Sequence, residues 1–225
     1  MFKNVLVPIS SEFYPKQVLK RSVFIGKKFK SKINFLYIIE EKNLDKTDKL
    51  VDSYISDFDI NETKKQMIKT QKQTAENLVF KDANLVLNKN KINYTEKVKT
   101  GEFTPIIKKE IKKHKYDLIL MGFEKECYLH YRLLEEVDIP VWIEAKSDSK
   151  KILSVCSNLA PNQKVPNIST ELSEKLGWDL HMLYILDKED TVIVDKKGKR
   201  SDKKDESDLI KESLGFYEYI KEKGK

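Results

Sequence analysis

Glycine, proline, cysteine and arginine are all scarce in this chain. Of 225 residues, 7 are glycine, 6 are proline and 2 are cysteine. The arginines are Arg21, Arg132 and Arg200, against a basic total of 43. So few glycines leave little material for a glycine-rich phosphate cradle, in which successive backbone N–H groups must approach an anion closely. Cys127 and Cys156 are far apart and fit no metal-ligand spacing. Cys156 lies in an apolar run that suits a buried free thiol. His114, His130 and His181 have no cysteine or carboxylate partners at ligand spacing, so no metal is expected. Scarce arginine argues against nucleic acid as a partner, because phosphate and base recognition favours the bidentate guanidinium fork. The formal charge of +7 is carried by lysines that alternate with acidic residues, as in EKNLDKTDK and KKEIKKHK, and this reads as a solvated face. Every apolar run is too short to span a bilayer, and MFKNVLVPIS lacks a signal-peptide pattern. No membrane contact and a cytoplasmic location are expected.

What is present is an alternation of strand and helix signals. KNVLVPIS is an apolar run ending in Pro and Ser. After it, Val18, Leu19, Ser22, Val23, Ile25 and Phe29 recur at helical spacing, with Ser11 and Pro15 marking the entry. SKINFLYIIE is a second strand. A less regular stretch leads into a helix pattern over 62–87. INYTEKV, 92–98, alternates like a strand. A helix over 103–115 follows, with Thr104 and Pro105 in positions suited to cap and first turn. YDLILMG and IPVWIEA are strands on either side of a short helix. Continuous apolar strands joined by helices predict a doubly wound, Rossmann-like α/β fold with a five-stranded parallel sheet.

After residue 146 the pattern restarts. KKILSVCSNLAPNQKVP lies over KNVLVPISSEFYPKQVL without a gap, so that Leu6 meets Leu153, Ser10 meets Ser157 and Ser22 meets Ser169. The same offset sets Leu36-Tyr37-Ile38 on Leu183-Tyr184-Ile185. One register serving both ends of a strand-helix-strand unit predicts an internal repeat. The copy stops early and gives way to TVIVD, a lysine-rich run and an amphipathic stretch, LIKESLGFYEYIKEK. Two domains are expected: 1–146 as a full unit, and 147–225 as a truncated second repeat with a charged linker and a C-terminal helix.

The strand KNVLVPIS, the strand INFLYIIE, the run VKTGEFTPIIKKEIKKHKYDLILMG and the strand IPVWIEA together resemble the universal stress protein family. The resemblance covers about residues 2–146, and the restart resembles the first third of a second copy, as in tandem members. It implies an adenine nucleotide α-hydrolase-like fold. It also implies a nucleotide site at Pro8, Ser10, Gly122 and Lys125, in altered form. Nucleotide-binding members carry an aspartate where Ser10 stands, and a serine hydroxyl cannot act as an acceptor-only carboxylate. Their phosphate loop has a second glycine where Lys125 stands, then Gly-Ser or Gly-Thr. Here neither pair occurs before Pro140, and FEKECYLHYRLLEE offers bulk together with Glu124, Glu126, Glu135 and Glu136, which repel phosphate.

The resemblance, taken with these departures from the family's nucleotide site, therefore implies a non-catalytic stress-response module with no cofactor, ATP being disfavoured, that works through dimerisation and protein partners. The alternative is an ATP or AMP sensor with an atypical site. An enzyme of the wider group would need a serine-glycine-glycine loop or a His-x-Gly-His pair, and neither is present. Gly101 reads as a turn glycine, Trp142 and Trp178 as residues in or beside a core, and His130 and Arg132 as surface residues. The half-repeat, 150–187, cannot bury its sheet alone, and the resemblance implies pairing through the final strand, IPVWIEA. A homodimer with the half-repeat at or near the interface is expected.

Overall fold

The structure, a computed structural model, describes residues 1–10, 16–40, 57–123, 133, 134, 136–144, 149–157, 164–185, 193, 194, 200 and 201. Two compact units emerge, Met1–Ser147 and Asp148–Lys225. In the first, β1 (Asn4–Ser10) leads through α1 (Gln17–Phe29) to β2 (Lys32–Ile39). Helix α2 (Asp57–Thr74) passes through a π turn, Ala75–Phe80, into α3 (Lys81–Lys89). Then come β3 (Tyr94–Thr100), α4 (Phe103–Lys113), β4 (Leu118–Gly122) and β5 (Val141–Glu144). The five strands are parallel, in the order β3-β2-β1-β4-β5.

Strands β1, β2 and β4 are apolar along their length because helices cover both of their faces. Val5, Leu6, Val7, Leu118, Ile119 and Leu120 are all buried. On one face Leu6, Leu36, Ile38, Ile119 and Met121 meet Phe103, Ile106 and Ile107 of α4, together with Leu133. The edge strand β3, with Glu96, Lys97 and Lys99, is much more exposed.

Two boundaries differ from the sequence expectation. Strand β3 begins at Tyr94, not Ile92. Ile92 is buried beside α1, where its Cγ2 lies 2.8 Å from the place a Cβ on Gly26 would take. Its apolar character serves helix packing, and Gly26 makes that approach feasible. Helix α4 is capped by Glu102 in extended conformation, not by Thr104. The Ile106 N–H donates to the Glu102 carbonyl at 3.1 Å, and Pro105 stands within the first turn. The expected helix entry at Ser11 and Pro15 lies outside the described residues.

The second unit holds β6 (Lys151–Ser157), α5 (Lys164–Leu176) and β7 (Asp179–Ile185), followed by a two-residue antiparallel pair, β8 (Ile193–Val194) and β9 (Arg200–Ser201). The starts of β6, α5 and β7 each fall 147 residues after those of β1, α1 and β2. Strand pairing keeps the same offset: Asn4↔Lys32 in one unit, Lys151↔Asp179 in the other. Even the left-handed residue that ends the helix recurs, Lys30 at φ 55° and Gly177 at φ 66°. Helix α5 covers one face of the strand pair, where Ser169 Oγ lies 2.9 Å from Ser154 Oγ and 2.7 Å from the Val165 carbonyl. On the other face Leu153, Val155, Leu183 and Ile185 are exposed. Among the described residues, no helix is long and apolar enough to cross a membrane.

Candidate functional site

In an open parallel sheet, ligands bind beyond the carboxyl ends of the strands where the strand order reverses. Here that point lies between β1 and β4. The β1–β4 register runs through Val5↔Leu118 and Leu6↔Ile119. It stops short of Pro8, which has no N–H to give to a ladder. Carried on, the same register would set Ile9 level with Gly122. Pro8, Ser10 and Gly122 thus stand at the same end of two neighbouring strands. Lys125 lies outside the described residues. Ser10 is fully buried, and its hydroxyl has no hydrogen-bond partner among the described residues. A buried hydroxyl left so is costly, by about 1–3 kcal/mol.

Beside Gly122, the end of β5 carries a closed ion pair. Gly122 pairs with Glu144, and the Phe123 N–H donates to the Glu144 carbonyl at 2.8 Å. Arg21 of α1 grips the Glu144 carboxylate with both prongs, Nε to Oε2 at 2.6 Å and Nη2 to Oε1 at 2.8 Å. The guanidinium carbon sits 4.9 Å from the Phe24 ring centre and 5.2 Å from that of Trp142. Trp142 Nε1 donates to the same carboxylate at 3.2 Å, and Gln17 Nε2 donates to the Phe123 carbonyl at 3.0 Å. A bidentate, stacked and largely buried fork is among the stronger charge pairs a protein makes. It leaves this guanidinium committed to Glu144.

A second charged cluster lies on the sheet face that α4 covers. Glu110 is buried, and its carboxylate accepts from Lys97 Nζ at 2.9 Å and from Lys99 Nζ. His114 Nε2 lies 3.7 Å away, so one of the histidines does come within reach of a carboxylate. Burial alone would raise the Glu110 carboxyl, but the hydrogen bonds and positive charge of Lys99 and Lys97 outweigh it and hold the group below the ordinary glutamate range. A groove of about 500 Å³ opens here, lined in part by Lys3, Asn34, Thr95 and Tyr116, toward the amino ends of the strands and away from the switch point. Among the described residues no group of histidine, cysteine and carboxylate side chains is placed to hold a metal.

Sequence reasoning picked out Pro8, Ser10 and Gly122 but not Arg21 or Glu144. A signal did exist. Arg21 falls at helical spacing between Val18 and Ile25, on the buried stripe of α1. A charge on that stripe requires an inward partner.

A sequence model of the universal stress protein family matches residues 1–143. A comparison with curated proteins finds no match. Among solved structures, a universal stress protein from Archaeoglobus fulgidus is 14% identical, with a TM-score of 0.57, and the match covers 94% of this chain and 72% of that one. UspA from Lactobacillus plantarum is 15% identical, with a TM-score of 0.51 and coverage of 64% and 98%. A family protein from Burkholderia pseudomallei is 12% identical, with a TM-score of 0.50 and coverage of 64% and 96%. At these identities the likeness is one of fold.

Proposed function

This chain belongs to the universal stress protein family, and from that premise we propose a non-catalytic stress-response module that works as a homodimer through protein contacts rather than by holding a triphosphate. The observation that carries the reading is the chemistry beside Gly122. Where a phosphate needs N–H donors and open backbone, the β5 end presents the Glu144 carboxylate, already gripped by Arg21. The sequence beyond Gly122 adds Glu124, Lys125 and Glu126 rather than glycines. A free cationic fork is what a triphosphate would use, and this one is engaged.

Titration calorimetry with Mg-ATP tests the reading: no binding at micromolar concentration is expected, and a dissociation constant in the low micromolar range overturns it. A second reading is favoured by Ser10, whose buried hydroxyl seeks a partner at the switch point. A nucleoside or AMP would reach that hydroxyl without needing the phosphate loop. AMP or adenosine binding where ATP fails would move the assignment to a sensor with an atypical site.

The homodimer reading rests on β5, an edge strand whose Val141, Trp142 and Ile143 are only half-buried. Such an edge invites pairing. Light scattering should give twice the chain mass of 26.4 kDa, and a monodisperse monomer at micromolar concentration removes the dimer.

A further inference from the structure

We infer that the groove at the amino ends of β1, β2 and β3 binds a phosphate group, free or carried by a small molecule, at the end of the sheet opposite the switch point. Nothing in this site draws on the residues around Gly122. The volume of about 500 Å³ suits a metabolite-sized ligand. Polar residues build the groove where the sheet and its helix are otherwise apolar. Asn34 interrupts the apolar run of β2, and Glu110 stands on the buried stripe of α4. Both are engaged within the protein. Asn34 Nδ2 donates to Asn4 Oδ1 at 2.8 Å and to the Val5 carbonyl at 3.0 Å, and Asn34 Oδ1 accepts from the Thr95 hydroxyl at 2.8 Å. Each Glu110 oxygen is taken by a lysine, one by Lys97 and one by Lys99.

Donors are what this network leaves over. The half-exposed Lys97 ammonium spends one N–H on Glu110 and keeps the others. Lys3 spends one on the Phe29 carbonyl at 3.2 Å. The Lys32 ammonium and the Tyr116 hydroxyl, both on the groove wall, have no hydrogen-bond partner among the described residues. Burial and the negative charge of Glu110 raise the Tyr116 phenol, so its hydroxyl keeps its proton and can donate. His114 lies edge-on to Tyr116, with ring centres 5.9 Å apart, and carries a ring N–H in either tautomer.

The charge runs in the same direction. Two lysines on Glu110 leave one positive charge, and Lys3 and Lys32 add theirs. Glu96 also stands at the rim, but it neighbours Lys97 along β3, and successive strand residues turn to opposite faces. An anion is therefore the ligand that the groove can satisfy. A carboxylate is best held by the planar fork of arginine, and no arginine lines this groove. Separate ammonium and hydroxyl groups, brought by the starts of β1 and β2, by β3 and by the end of α4, suit the tetrahedral oxygens of phosphate, for which lysine acts as a point charge.

The test titrates the full, isotope-labelled chain with inorganic phosphate at constant ionic strength, followed by amide NMR. The amides of Lys32, Lys97 and Tyr116 should shift saturably with a midpoint in the millimolar range, while those of Gly122 and Glu144 stay in place. A drift no larger than sodium chloride produces overturns the inference, as does a response centred on Gly122. Lys32→Glu should raise the midpoint about fivefold, as for the loss of an exposed charge contact. Tyr116→Phe keeps the ring against His114 and should raise the midpoint about threefold, as for the loss of one hydrogen bond. Spectra otherwise unchanged establish that both variants are folded, and a midpoint unchanged in both overturns the inference. A parallel titration with glycerol 3-phosphate separates the two sources. Tighter binding than that of inorganic phosphate supports a phosphorylated small molecule, and equal or weaker binding supports free phosphate.

Discussion

The segments β1-α1-β2 and β6-α5-β7 are one construction in two settings. Element starts, strand register and the left-handed helix exit agree at a single offset. Burial does not. Leu6 is 1% exposed and Leu153 is 64% exposed. The buried Val7 is matched by Ser154, which finds Ser169 beneath α5. Arg21, which holds Glu144, is matched by Ile168, for which the second unit provides no β5 carboxylate among its described residues. The lesson is one of separation. Strand, helix and register follow from local sequence, whereas burial follows from what the chain adds afterwards.

The comparison can be broken most directly at the matched leucines. Leu6→Ala should cost about 2–5 kcal/mol, as for a buried leucine that leaves a cavity. Leu153→Ala should cost about 1 kcal/mol or less, as for a partly exposed site. Trp142 and Trp178, one in each unit, allow denaturant unfolding of the two units to be followed separately in single-tryptophan variants. Equal costs would mean that the two faces are equally covered.

Glu110 sharpens the comparison, because the second unit has no counterpart among its described residues for the α4 that carries it. Glu110→Gln should destabilise the first unit by about 1–3 kcal/mol at neutral pH, since it removes the buried charge and sets an NH2 donor against one of the two lysines, Lys97 and Lys99, that now donate to a carboxylate oxygen each. The folded carboxyl is held below its unfolded value, so its contribution is full above the ordinary glutamate pKa of about 4.3. That contribution is lost as pH falls through the lower folded value. Acid unfolding of the variant should therefore be shallower in this range. An acid limb unchanged from the natural protein would remove Glu110 from the account.

The smallest effects are expected at the helix exits. Lys30 and Gly177 both have positive φ, and glycine alone adopts it without strain. Lys30→Gly should stabilise by about 0.5–1 kcal/mol, and Gly177→Ala should destabilise by a similar amount. Opposite signs in thermal melts are the readout, and a shared sign would contradict the matched geometry.

Much of this fold was legible because its strands are buried on both faces. Runs such as NVLVPI and LILM announce themselves without any partner being known. The start of β3 was misread for the same reason: Ile92 is as apolar as a strand residue but is buried against α1. The π turn at Ala75–Phe80 leaves no mark that a period of 3.6 residues would detect. Of the candidate site, Pro8, Ser10 and Gly122 could be placed because strand ends are readable. The Arg21–Glu144 fork joins residues 123 apart in sequence, and periodicity within one element cannot specify a pair between two.

Ser173 also sets what the second unit can become. At its counterpart, Gly26, bare backbone lets Ile92 lie where a Cβ would stand, so the chain returning from α3 toward β3 rests on α1. Ser173 fills that place with a side chain whose hydroxyl donates to the Trp178 carbonyl at 2.6 Å. Adding a third strand beside β7 in the manner of the first unit would take more than extra residues, because α5 would first have to give up the side chain at position 173. Growth beside β7 in the manner of the first unit therefore calls for a change at position 173 first.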